Sequence, residues 1–271
     1  MPEDDYHRHS ALSSTNARRI LESPAKYRWS QTHEQAPKPA FDLGHAVHSK
    51  VLGVGAQTVV IPEEHLAANG AVSTAASKEF MAQARADGLI PVKQVIADEV
   101  DAMAESVLAH PMAAVLLSQA GAPEVSIFAT DTETGIELRA RFDYLPSAGQ
   151  TPVAVDLKTA KDASPRGFAK AAASHGYHVQ RGHYLDVHAV AGGIYLAGFA
   201  FVVVETEAPY LVGVYKLNSD WEDLGMQRAR EARRIYKHCL ETDDWPGYGD
   251  SMQSLSAPFW LIADTVEADV A

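Results

Sequence analysis

Along the chain, apolar and polar positions alternate with a period of two in three places. In 136–143, Ile136, Leu138, Ala140 and Phe142 alternate with Glu137, Arg139, Arg141 and Asp143, the signature of a strand with one buried face. In 153–158, Val153, Val155 and Leu157 point one way while Asp156 and Lys158 point the other. Upstream, 123–130 sets Val125, Ile127 and Ala129 against Glu124, Ser126 and Phe128, and DTETG at 131–135 is the turn that leads it back antiparallel. Two later runs, GFAFVVVE at 198–205 and YLVGVYKL at 210–217, are almost continuously apolar, as in sheet strands buried on at least one face. A short strand at 56–61 closes at Pro62.

Helical spacing fills the intervals. Ser13 or Ser14 caps a helix that runs to about Glu22 and stops near Pro24. Residues 41–53 place Phe41, His48 and Leu52 on one side of a helix. Residues 62–93 are rich in alanine and polar residues, with a helix near 77–86, and read as an insertion. Residues 94–109 align Val95, Ala102, Met103 and Val107 inward, and Pro111 starts another helix through about Gln119. A helix at 176–191 carries Gln180 and Tyr184 one turn apart. A long helix over 219–241 offers Trp221, Leu224, Ile235, Tyr236 and Cys239 to the sheet, and the tail carries WPGY and LSAPFWLI. Strands interspersed with helices predict an α/β fold with a mixed central sheet, in one domain spanning 1–271.

Composition narrows the class. At 271 residues and 46% apolar content, the chain is globular and long enough for a substantial core. The single cysteine excludes an internal disulfide and a cysteine-based zinc cluster, consistent with a reducing cytoplasm. No apolar run reaches the length of a membrane span, and the polar, acidic start MPEDDYHRHS is unlike a signal peptide. No G-x-x-x-x-G-K-[ST] loop occurs, so no ATP-driven motor is expected, and Gly53-Val-Gly55 lacks the context of a dinucleotide site. The net charge of −12 opposes broad nucleic-acid binding, which depends on basic surface and counterion release. Cations would have to be concentrated in a channel, from among Arg18, Arg19, Lys26, Arg28, Arg139, Arg141, Lys158, Lys161, Arg166, Lys170 and Arg181.

The candidate chemistry is a carboxylate at Asp143, a second thirteen residues later at Asp156, and an ammonium at Lys158. Hard carboxylates hold Mg2+, the metal polarises a phosphoryl group and lowers the pKa of bound water, and a neighbouring ammonium orients that water and offsets charge on the phosphorane. On its own the spacing also describes a strand end with a surface salt bridge. His175, His178, His183 and His188 raise zinc, but only the first pair has helical ligand spacing and the others do not extend it.

The segments ALSSTNARRILESPAKY, FDLGHAVHSKVLG, APEVSIFATDTETG, RARFD, AVDLKTAKDAS, GYHVQRGHY and WPGY with LSAPFW occur in fixed order over most of the chain. In that order they resemble the PD-(D/E)xK nucleases of the exonuclease VIII (RecE) type, more distantly lambda exonuclease and the RecB-like nucleases. One departure is Phe142, which stands where the family usually has proline. The resemblance implies catalytic roles for Lys158, Asp143, Asp156 and Glu124. It implies metal ligation by His48, of the G-x-x-x-H pattern, with Asp143, Asp156 and the Leu157 carbonyl, for two Mg2+ ions replaceable by Mn2+. His45 is left as a bystander. DNA contacts are implied for Gln180 and Tyr184 of the Q-x-x-x-Y pattern, for Arg141, and for Ser14 and Arg28 near a 5′ phosphate. It further implies a 5′→3′ exodeoxyribonuclease acting on duplex ends, a homo-oligomeric ring of three or four copies, and a RecT-type single-strand annealing partner in a phage or prophage setting. An endonuclease or repair nuclease on the same core, and a silent module that binds DNA ends, remain the alternatives.

Overall fold

A computed structural model describes residues 1, 3–33 and 39–257 of the chain. Its centre is a five-stranded sheet of β3 (Gly121–Thr130), β4 (Glu137–Pro146), β5 (Val153–Ala160), β6 (Gly198–Glu205) and β7 (Val212–Tyr215), in that spatial order. β5 and β6 run parallel and every other neighbouring pair is antiparallel. A separate two-stranded parallel sheet joins β1 (Thr58–Val60) to β2 (Ile90–Val92). The expected mixed α/β architecture is therefore present, and the sheet is covered on both faces.

β6 shows why two covers are needed. Phe199, Phe201 and Val203 belong to one core, Ala200, Val202 and Val204 to the other. A strand with apolar residues at consecutive positions leaves no face for water. The first core is roofed by α2 (Ser14–Glu22), α8 (Pro165–His175), α9 (Tyr177–Val190) and α10 (Ser219–Thr242) through Ile20, Phe168, Val187 and Ala232. The second is roofed by α4 (Pro39–Leu52), α6 (Gln94–Ala109) and α7 (Pro111–Leu117) through Val47, Met103 and Leu116. The remaining helices are α1 (Glu3–Arg8), α3 (Pro24–Ser30) and α5 (Ala75–Ala86).

Several expectations shift. α2 ends at Glu22 as expected, but Pro24 also opens a further helix, α3, at its first position, with Ser23 capping the Lys26 amide, because a proline at N1 loses only an amide that would have no helical partner. Between Ser13 and Ser14 the cap is Ser13, whose hydroxyl accepts from Asn16 N at 3.2 Å. On α6 the inward residues are Val100, Met103, Ala104 and Val107, while Val95 is exposed. On α10 Leu224 is exposed and Cys239 buried, with Trp221, Ile235 and Tyr236 packed at the core margin. α10 approaches α9 through glycine: a Cβ on Gly225 would lie 2.1 Å from the His178 carbonyl oxygen, and one on Gly182 2.7 Å from the Gly225 backbone. α1, α8 and β2 escaped the periodicity reading. The side chain of Phe41 and the tail beyond Ala257 lie outside the described residues. Among the described residues no single helix is long and apolar enough to cross a membrane.

Candidate active site

β5 has two unlike edges. Towards β6 it is paired from Val153↔Gly198 through Ala160↔Glu205, whereas towards β4 its single ladder pair is Tyr144↔Val155. Beyond that pair the strands part, and the site lies in the parting. The bend is visible in β4 itself: Leu138, Ala140 and Phe142 pack in the first core, but Tyr144 packs on the second and Leu145 on the first, so the alternation switches at Asp143. Directly across, between the pairs Pro123↔Tyr144 and Val125↔Phe142, Glu124 has a φ of +54°. A glutamate in the left-handed region costs about 1–2 kcal/mol, and such strain gathers where function demands a geometry.

Asp143 compensates for the broken ladder. Its Oδ2 accepts the Leu157 amide at 2.7 Å, a bond that a β4 carbonyl would otherwise receive. Within an extended strand the N–H and C=O of one residue point to the same side, so the Leu157 carbonyl also faces the parting. Nδ1 of His48, from α4, lies 3.6 Å from the same Oδ2. One donor atom from each of His48, Glu124 and Asp143 falls within 4.8 Å of the others. Hard oxygens with one imidazole suit a divalent cation. Glu124 is in turn paired with Arg141, whose guanidinium also reaches Ser126 Oγ at 3.2 Å and lies against the ring of Tyr6.

Asp156 is buried, and its oxygens are held from two sides. Gln180 Nε2 donates to Oδ1 at 2.6 Å, and the Lys158 ammonium pairs with Oδ2. Lys158 also lies over the Tyr177 ring at 5.1 Å. Burial alone would lower the Lys158 pKa, but Asp156, Asp143 and Tyr177 outweigh it and hold the ammonium above its usual range. Burial and the neighbouring Asp156 push the Asp143 carboxyl well above the ordinary carboxylate range, Lys158 opposing. Two carboxylates forced together in a poorly solvated gap are the electrostatic setting that a bound cation relieves.

One open cleft of 610 Å3 brings together Ser14, His48, Asp143, Asp156, Leu157, Lys158, Gln180 and Tyr184, while Glu124 and Arg141 lie outside its lining. Tyr184, whose hydroxyl burial pushes far up in pKa, rests on Phe142 with ring centroids 5.0 Å apart. Phe142 therefore sits in the core beneath the site and supports Tyr184. The same cleft is lined by Arg18, one of the candidate channel cations, and by His45, His175 and Tyr177, which the sequence reading did not place there. His45 is not remote from the site, lying one helical turn before His48. Tyr177 precedes Gln180 and Tyr184 on the same helical stripe, and that spacing was the available signal.

Other expected residues go elsewhere. Arg28 is outside the lining of this cleft, 3.7 Å from Asp243 and over Trp245 at 5.2 Å. Arg139 is buried beneath α1, bonded to the carbonyls of Tyr6 and His7, and Arg181 is buried against Glu222 at 2.7 Å; neither is a channel cation. His183 is fully buried, with Nε2 3.0 Å from the Arg139 carbonyl oxygen. Among the described residues, the metal-capable group that converges is His48, Glu124 and Asp143 rather than a histidine set on α8 and α9.

A mixed sheet sandwiched by helices, with its acids where two strands part, defines the PD-(D/E)xK class of α/β domain. The chain belongs to the family described as PDDEXK-like domain of unknown function (DUF3799), which matches residues 13–258. It is similar in fold to a crystal structure described as "Putative exonuclease" from Eubacterium rectale, at 12% identity and a TM-score of 0.63, covering 98% of each chain. A second solved structure, SSO0001, reaches a TM-score of 0.30 at 12% identity over 72% of this chain and 85% of its own, too little to bear on the fold. No curated protein sequence matches the chain.

Proposed function

We propose that the protein is a divalent-metal-dependent nuclease of the RecE type, a 5′→3′ exodeoxyribonuclease that degrades one strand from a duplex end. The observation that carries this reading is the convergence of Asp143, Asp156 and Lys158, with His48, at the point where β4 leaves β5. Family membership supports the nuclease class. The description of the Eubacterium rectale relative agrees with exonuclease action.

Asp143, Asp156 and the Leu157 carbonyl would hold one Mg2+ or Mn2+, and His48 with Asp143 a second, with Glu124 within reach of that pair. A cation bound there supplies phosphoryl polarisation and a water of lowered pKa. Gln180 donates to Oδ1 of Asp156 and so holds that carboxylate in place on the cleft wall. The Lys158 ammonium donates to the attacking water and to the charge that grows on the phosphorus oxygens. Tyr184 and Tyr177 border the scissile strand, and Ser14 lines the same wall. Water oxygen adds to phosphorus, the P–O3′ bond breaks, and a proton passes to the leaving 3′ oxygen, so each released nucleotide keeps its 5′ phosphate. Arg141 acts through Glu124, which it orients, and Arg28 is proposed to meet DNA outside the cleft. The surviving 3′ strand would suit a RecT-type annealing protein in the cytoplasm. A ring of identical subunits would keep DNA attached without ATP.

The test is digestion of linear against covalently closed circular duplex in Mg2+, with one 5′ end labelled, beside Asp156→Ala. Labelled mononucleotide released from linear DNA alone, and lost in the variant, is the expected result. Cutting of circles would move the protein to the endonucleases, and DNA binding without cutting would leave a binding module.

A further inference from the structure

The cleft does not end at its acids. Past Arg18 it opens into a hollow of 460 Å3, with which it shares Thr15, Arg18 and His175. That hollow in turn shares Arg19 and Glu22 with another of 450 Å3, which ends at Trp29 and Ser30. A continuous track thus runs from the catalytic residues along α2 to the end of α3.

Its charge is the reverse of the molecule's. The whole chain carries −12, yet the two hollows are lined by Arg18, Arg19, Lys26 and Arg228 against the single carboxylate of Glu22. Arg18 spans the track, bonded to the Ser14 carbonyl, to Thr15 Oγ1 and to the His175 carbonyl. Three of its five N–H donors are used in this way, which fixes the guanidinium while leaving donors for an anion. Its approach to the turn between α8 and α9 depends on Gly176, at φ +66°, where a Cβ would lie 2.9 Å from the Arg18 Cδ. At the far end Trp29 is 56% exposed, its ring stacked on His33 at 4.2 Å and 10°. An exposed flat aromatic at the end of a basic groove is the arrangement that binds single-stranded nucleic acid: cations follow the phosphates and a base stacks on the ring.

We propose that this track holds a single strand of DNA continuous with the strand in the cleft. Its phosphates lie across Arg18, Arg19 and Arg228, and one base stacks on Trp29. The inference rests on the nuclease reading for the identity of the ligand. A base inside a duplex is stacked on both faces and has none left for Trp29, which is why the strand is single.

The experiment measures binding of a labelled oligothymidylate of about 12 nucleotides by anisotropy, with the full chain in EDTA so that cleavage plays no part. Wild type is compared with Trp29→Ala, Trp29→Phe and the double variant Arg19→Gln with Arg228→Gln. The alanine variant should bind about tenfold more weakly and the phenylalanine variant should recover most of the loss. The double variant should reduce the slope of log affinity against log salt by about 0.7 for each phosphate contact removed. Unchanged affinity and slope would overturn the track, as would an equal loss for a blunt duplex. The nuclease reading is scored separately. Wild-type cutting in Mg2+ with Trp29-independent binding keeps the enzyme and removes the track; Trp29-dependent binding without cutting does the opposite.

Discussion

β5 serves two neighbours in opposite ways. On its β6 side eight consecutive pairs form a parallel ladder, and Phe199, Phe201 and Val203 alternate with Ala200, Val202 and Val204 into two dry cores. On its β4 side one pair is made, and beyond it lies a gap crowded with Asp143, Asp156, Lys158 and His48. One edge is organised for stability and the other tolerates buried charge, a strained Glu124 and a substituted ladder bond. The lesson is that the stable edge carries the unstable one: β5 can present Asp156 and Lys158 in a fixed place because its other edge is fully paired.

The largest expected effect is on the open edge. Asp143→Asn keeps an oxygen to accept the Leu157 amide but removes a carboxylate, so cleavage of linear duplex should fall at least about 100-fold. Because burial and Asp156 disfavour the charged form of Asp143, its melting temperature without metal should hold or rise. A clear drop in melting temperature would show that the gap contributes to stability after all. Phe201→Ala on the closed edge should do the reverse, lowering unfolding free energy in urea by about 3–5 kcal/mol. A loss below about 1 kcal/mol would deny that edge its role.

A smaller effect concerns pH. His183, buried beneath β4, has its pKa lowered to about 3, chiefly by burial and then by Arg233. The folded state keeps the ring neutral where the unfolded chain, with a pKa near 6.5, takes up a proton. Its contribution to stability is therefore complete above about pH 6.5 and shrinks as pH falls towards the folded value, by roughly 1.4 kcal/mol per unit. His183→Gln should flatten the stability profile between about pH 6 and pH 4. An unaltered slope would mean that His183 is protonated in place.

Much of this was legible in the chain. The period-two runs gave β3, β4 and β5, and the continuous apolar runs gave β6 and β7, because burial on one or two faces is written directly in residue type. Asp143, Asp156 and Lys158 were named from their spacing together with the family resemblance, and His48, Gln180 and Tyr184 from the resemblance; all six line one cleft. Harder to read were α8, a short helix whose buried face rests on Phe168 and Ala172, and α3, where Pro24 signals a stop and a start alike. The inward faces of α6 and α10 were misread at Val95 and Leu224. Small residues such as Gly225, Ala229 and Ala232 make the α10 contact, and they carry little hydrophobic signal.

The sequence by itself determined most strands and helices, the burial of β6 on at least one face and, with the family resemblance, the identity of the candidate acids. These depend on local periodicity and on side-chain chemistry, both properties of the residues in order. Only the tertiary structure decided that β4 leaves β5 after one pair and that Asp143 replaces a ladder acceptor. It also decided that Arg139 and Arg181 are internal, that Phe142 supports Tyr184, and that the hollow of Arg18 and Arg228 adjoins the one at Trp29. Those are contacts between residues distant in the chain, set by how sheet and helices pack, and no spacing along one strand or helix encodes them.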